Sequence, residues 1–179
     1  MKHCKRWITF SLILCMSMLN AHAAPDIQTP SETQNPQQLI QWAAHKIVPI
    51  LSFSFRDDPK TYWQPYRKFF SSAGWTHFKQ ALQQSGNIQT IISHDLSTHI
   101  QLGETGEAHP GIRDDQQQTW HVSIPAKIIY AADALALTQP LMIHLTLKHS
   151  KQHEILIDQI IAKNTGALSR RHIKPRGCA

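Results

Sequence analysis

Histidine is the residue type in this chain that first suggests chemistry, since twelve of its 179 residues are His. A zinc site needs three or four convergent ligands at short fixed spacings, such as two His four positions apart on one helix face. His144, His149 and His153 are the closest set, and they straddle the end of a strand-like segment and a turn. Solvent-facing strand positions account for them, and the sequence is read as holding no metal and no cofactor. Paired carboxylates occur at Asp57-Asp58 and Asp114-Asp115. Both lie beside Pro, Gly or Arg in turn-like segments, where Asp bonds its own backbone and stays ionised. Acid–base catalysis needs a carboxylate perturbed inside a pocket. Asp158, within an apolar segment, is the better candidate, but an outward strand position or a partner across the sheet is the plainer account. Gly103-Glu104-Thr105-Gly106 is too short and too acidic to cradle a phosphate. Serine-nucleophile motifs and Cys/His dyads are absent, so no catalytic residue is assigned and the chain is read as a non-enzyme.

The elements that would position such residues begin after a targeting segment. Lys2, Lys5 and Arg6 precede an apolar run from Trp7 to Leu19, and Ala21-His22-Ala23 then offers an A-x-A cleavage site before Ala24. That layout is a secretory signal, and the run is short of the roughly 20 residues that span a bilayer. The expected location is the periplasm, with inner-membrane anchoring as the alternative if the signal is retained. Cleavage between Ala23 and Ala24 removes Cys4 and Cys15, leaving Cys178 as the one cysteine and excluding an intramolecular disulfide. The net charge of +6 also divides unevenly. Three cations belong to the signal and five to residues 163–179, so residues 24–162 hold ten basic and twelve acidic side chains. No basic face for nucleic acid is expected.

Residues 24–36, rich in Pro and small polar residues, read as a flexible linker. Asn35-Pro36 is a helix start, and Ile40, Ala43, Ile47 and Leu51 fall on one helical face until Pro49 kinks or shortens it. A short aromatic-rich helix is expected over Trp63 to Phe70. A third follows Ser71-Ser72, with Trp75, Phe78 and Leu82 on its apolar face and Gly86 as its stop. Beyond residue 94 the period changes to two. Leu96 to Leu102, Trp120 to Tyr130, Leu141 to Leu147 and Ile155 to Ala162 read as four strands, joined by turns at 103–111, 133–134 and 150–153. Helices followed by strands make an α+β domain over residues 37–162, its curved antiparallel four-stranded sheet covered on one face. Residues 163–179 read as a basic flexible tail. Trp75, Phe78, Trp120 and Tyr130 supply the bulk that pins the third helix to the sheet.

The run from Phe69 through Gly74, Trp75 and Phe78 to Leu82, closing at Ser85-Gly86-Asn87, resembles the F-x-x-x-G-W-x-x-F-x-x-A-L-x-x-S-G-N pattern of the DotI/IcmL family of type IVB secretion proteins. Trp120-His121-Val122-Ser123-Ile124-Pro125, ending at Tyr130, is similar to that family's W-x-V-x-x-P…Y strand. Order and spacing match from about residue 38 to 162. The resemblance implies a periplasmic domain of the nuclear-transport-factor-2-like cone fold, related to conjugation-channel assembly proteins. It further implies a scaffold that acts by binding other secretion-system proteins, with self-association possible. The family's core subunits are held by a transmembrane helix whereas this chain carries a cleavable signal, so both a core subunit and a soluble accessory remain open.

Two other classes stay in view. A cone-fold enzyme needs an acid–base pair inside the cone, where Trp120, Val122, Ile124, Ile128 and Tyr130 supply none. A periplasmic small-ligand-binding module needs an open pocket, and the bulk of Trp and Tyr predicts a filled one. Partner binding would then fall to the polar outer strand face of His121, Ser123, Lys127, His144, Thr146 and Lys148.

Overall fold

A computed structural model describes residues 35–112, 118–133, 135–152 and 154–172. Helix α1 spans Pro36–Leu51. The Asn35 side chain accepts a hydrogen bond from the Gln37 N–H at 2.9 Å, and Pro36 occupies the first turn, where its missing donor costs nothing. Leu39, Ala43, Ile47 and Ile50 are buried, with Ile40 and Leu51 partly so. The apolar stripe therefore leans slightly towards Leu39 and Ile50 from the expected Ile40 and Leu51. Pro49 sits inside the last turn without breaking it; the helix closes two residues later, where the Ser52 N–H bonds the Val48 carbonyl.

A two-residue strand, β1 (Phe53–Ser54), and a 3-10 turn over Gln64–Phe69 lead to α2 (Ser72–Ser85) and the short α3 (Asn87–Ser93). Ser71 caps α2 by accepting from the Gly74 N–H at 2.9 Å. Gly86, at φ 66°, ends α2 and starts α3, a conformation only glycine adopts cheaply. Residues 87–93, beyond the expected stop at Gly86, form about two further turns of helix. Tyr62 and Trp63 close the end of α1: the Tyr62 hydroxyl donates to the Pro49 and Ser52 carbonyls, and the Trp63 indole N–H donates to Ile50 O at 2.9 Å.

Among the described residues the sheet holds seven strands. After β1 come β2 (Ser97–Leu102), β3 (Glu107–Ile112), β4 (Gln118–Ala132), β5 (Leu135–His149), β6 (Ile155–Asn164) and β7 (Ser169–His172). All pair antiparallel around the long β4–β5 hairpin. On the β4 side, β3 pairs with Gln118–Ser123 and β2 with Ala126–Ala131. On the β5 side, β7 pairs with Leu135–Thr138 and β6 with Leu141–His149. Four strands were expected, and the three missed are short and peripheral. β3 contains Pro110 and Gly111 in a segment that reads as a turn, and its residues are mostly exposed, so no alternation marks it. The supposed tail is corrected likewise: β6 continues through Lys163 and Asn164, and β7 carries Arg170 and Arg171 along β5.

Helix α1 packs on β2, β3 and β4, while α2 packs on β6. The core between the layers is fully buried Leu39, Ile47, Val122, Ile124, Ile143, Leu145 and Ile157. No helix among the described residues is long and apolar enough to cross a membrane. The signal segment with its Ala23–Ala24 junction, the 24–34 linker, Asp114-Asp115, His153 and Cys178 lie outside the described residues.

Candidate functional site

The expected motif residues take several distinct places. Gly74 is fixed by close approach: a Cβ there would lie 2.4 Å from the Ile157 carbonyl and 2.8 Å from that of Asp158. The first turn of α2 therefore lies against the backbone of β6. Trp75 and Phe78 are buried beside Phe70, with Phe70 and Phe78 stacked at 5.1 Å. Trp120 is buried on β4, opposite Leu147. The sequence reading had Trp120 and Tyr130 receive α2; the structure gives β4 to α1 and puts α2 on β6.

Pro125 stands in the middle of β4, where a missing N–H would ordinarily break a ladder. Its carbonyl accepts from the Gly103 N–H at 2.7 Å, so this backbone edge faces β2. The β2 register ends at Ala126 and the β3 register begins at Ser123. Pro125 thus lies between the β2 and β3 registers, just past the last paired residue of β2, an end position where a strand proline is tolerated.

Asp158 is the extra residue of a β-bulge, since Thr146 pairs with Gln159 and Leu147 with Ile157. The bulge aims its carboxylate at the start of α2. Asp158 Oδ1 accepts from the Ser71 hydroxyl at 2.5 Å and lies 2.6 Å from Lys148 Nζ. Asp158 is therefore a structural carboxylate with a partner across the sheet, and it does not face the interior of the cone. The other expected Asp pair is local: Asp57 accepts from the Ser54 N–H and Asp58 from the Lys60 N–H, both turn bonds.

The outer face of the hairpin is polar around His121 and Ser123 and mixed around Lys127, where Pro125, Ile129, Pro140 and Met142 join it. His109 stands opposite His121, and Ser123 opposite His144 with Ser123 Oγ 2.9 Å from His144 Nδ1. The sequence reading missed this Ser–His contact, because it needs the strand register rather than a local motif. The two side chains stand on a regular ladder that already engages the neighbouring backbone N–H groups, and among the described residues no third side chain is seen to orient the His144 ring. Among the described residues no three His, Cys, Asp or Glu converge as a metal site. Further along the same face, Gln101, Lys127 and Pro140 border two adjoining hollows of about 260 and 300 Å³. Lys127 is exposed between them, whereas Lys148 is largely consumed by its ion pair.

The inner face corrects the expectation of a filled cone. Trp120, Val122, Ile124 and Ala126 are packed, but Ile128 and Tyr130 open onto a cavity of about 260 Å³. Leu82 of α2 lines its far side. Burial raises the Tyr130 phenol above its ordinary pKa. Burial, with Tyr66 and Asp57 adding repulsion, pushes Tyr62 up to about 12.

Residues 22–164 match the profile of a family described as a type IVb secretion system inner-membrane complex component, DotI/IcmL. Solved structures share the fold. The periplasmic domain of DotI is 20% identical with a TM-score of 0.65, covering 74% of this chain and 98% of that one. An IcmL-like type IV secretion system protein from Legionella pneumophila is 17% identical at 0.64, covering 75% and 96%. A periplasmic fragment of TraM is 17% identical at 0.60, covering 71% and 96%. No curated protein matches the chain significantly.

Proposed function

Because this chain belongs to the DotI/IcmL family of type IVB secretion system proteins, we propose that it is a non-catalytic periplasmic component of such a system, acting by protein–protein contact through the outer face of its β4–β5 hairpin. The observation that carries this reading is the surface around Lys127. There a cation and Gln101 border two hollows with apolar Pro125, Ile129, Pro140 and Met142, the mixture of shape, apolar area and hydrogen-bonding capacity that wet protein interfaces use. Export by the Lys2–Ala23 signal fits the periplasmic domains among its structural neighbours. The opposite face is occupied by α1 and α2, so partners meet the strands' outer side or the sheet edges.

A photo-crosslinking amino acid at Lys127, in a host with an intact type IVB system, tests the surface. Adducts with other inner-membrane complex proteins are expected there. The same label at exposed Lys79 on α2, remote from the sheet's outer face, should give none. Equal labelling from both positions, or none from Lys127, would contradict the proposal.

A further inference from the structure

The cavity has a chemistry that the protein–protein reading does not use. Its helical wall is Ile50, Leu82 and Ile91, and its sheet wall Ile100, Ile128 and Leu141. Polar lining comes from Asn87, Thr98, Tyr130, Gln139 and Asn164, and the buried Thr98 hydroxyl is already bonded to the Phe53 backbone. No ionisable Asp, Glu, Lys, Arg or His lines it, so a charge carried inside would lose its hydration without compensation. Its occupant must therefore bury an uncharged, apolar part. About 260 Å³ is room for roughly eight or nine groups of water size at about 30 Å³ each, the bulk of an alkyl chain of that many carbons.

The register continues this inner face past the mouth. Thr98 lies opposite Tyr130, Tyr130 opposite Leu137, and Leu137 opposite Arg170. Directly paired residues point to the same side of a sheet, so Arg170 shares the concave face with the cavity-lining Tyr130. The alternate residues obey the same rule, since Thr138 and its partner Ser169 line an outer-face hollow. Arg170 is exposed and makes no ion pair among the described residues. Of the acidic residues at this end, Asp133 lies on the hairpin turn and Asp95 before β2, neither of them on the Arg170 row. Tyr130, kept protonated by burial, adds a donor between the apolar walls and the cation.

We propose that this cavity binds a single-chain anionic amphiphile, its alkyl part between Ile100, Ile128 and Leu141 and its head group towards Tyr130 and Arg170. The inference is independent of the partner surface around Lys127, which lies on the other face.

Isothermal titration of the purified protein with decanoate, below its micelle concentration, should give saturable one-to-one binding. Arg170→Glu should weaken decanoate at least tenfold and leave 1-decanol unchanged. Ile128→Trp, which fills the cavity, should abolish both. A thermal melt distinguishes a filled cavity from a misfolded chain, and Leu141→Phe is the second filling variant should Ile128→Trp fail to fold. Failure of decanoate to bind would overturn the proposal. So would equal affinity for decanoate and 1-decanol with no effect of Arg170→Glu. Sedimentation with phosphatidylglycerol vesicles without decanoate binding would overturn it too, in favour of membrane docking.

Discussion

Lys148 reaches Asp158 across the β5–β6 ladder at 2.6 Å, and the same carboxylate oxygen holds the hydroxyl that caps α2. The side chains are only 20% and 11% exposed, so this pair is a joint between sheet and helix rather than a surface ornament. A lysine that reads as a free interface cation is thereby committed to the fold. Lys148→Glu would place two carboxylates together and disturb α2, so it cannot report on partner binding.

The joint predicts a stability effect. Asp158→Ala leaves Lys148 without its counter-charge and the Ser71 hydroxyl without its acceptor. Removing one partner of a largely buried pair costs about 3 kcal/mol. Urea unfolding should show the midpoint fall with an unchanged slope; an unaltered midpoint would show that the pair contributes nothing.

Gly74→Ala separates helix propensity from packing. Propensity alone favours Ala by roughly 0.5–1 kcal/mol in a helix interior. Here the added Cβ would stand 2.4 Å from the Ile157 carbonyl, backbone that cannot yield without parting α2 from β6. Thermal melts should therefore show a loss of stability, and a gain would mean that the α2–β6 contact is looser than described.

Alkaline stability should follow Tyr62. Its folded pKa of about 12 stands above the ordinary 10.0, so between these values the native state keeps a proton that the unfolded chain releases. Stability from this group is complete below pH 10 and is lost as pH rises from 10 towards 12. Tyr62→Phe should flatten that decline, and should also lower stability at neutral pH by about 1 kcal/mol for the lost hydrogen bonds to Pro49 and Ser52. Alkaline melts of the two proteins would test both parts.

What the sequence revealed depends on how strongly burial imprints a period. The hairpin strands β4 and β5 and the Trp75–Phe78 stripe were legible because one side of each is buried and the other wet. Strands β1, β3 and β7 were not. They are peripheral, and most of β3 is exposed, as are Ser169 and Arg170 of β7, so Pro110 with Gly111 in β3 and Arg170 in β7 read as turn and tail. For Asp158 the sequence left an outward strand position and a partner across the sheet both open, and the bulge that aims it at Ser71 is a register event with no local signature. The cavity was missed for a related reason. Tyr130 has the right face and bulk for a core residue, and only the extent of the helical layer decides whether anything covers it.

Export is the expectation carried by the Lys2–Ala23 segment, read as a secretory signal. N-terminal sequencing of the protein from a periplasmic fraction should begin at Ala24, and intact chain starting at Met1 in the membrane fraction would show that the segment is retained.

The central claim is that the outer sheet face around Lys127 binds other components of the secretion machine. Lys127 is exposed on β4 and makes no ion pair among the described residues, so reversing its charge leaves the fold alone. The most direct measurement is the amount of inner-membrane complex protein that co-purifies with wild type and with Lys127→Glu from a type IVB-competent host. Wild type should retain those proteins and Lys127→Glu should lose at least tenfold of the yield, with identical melting temperatures. Equal yields from both would contradict the claim.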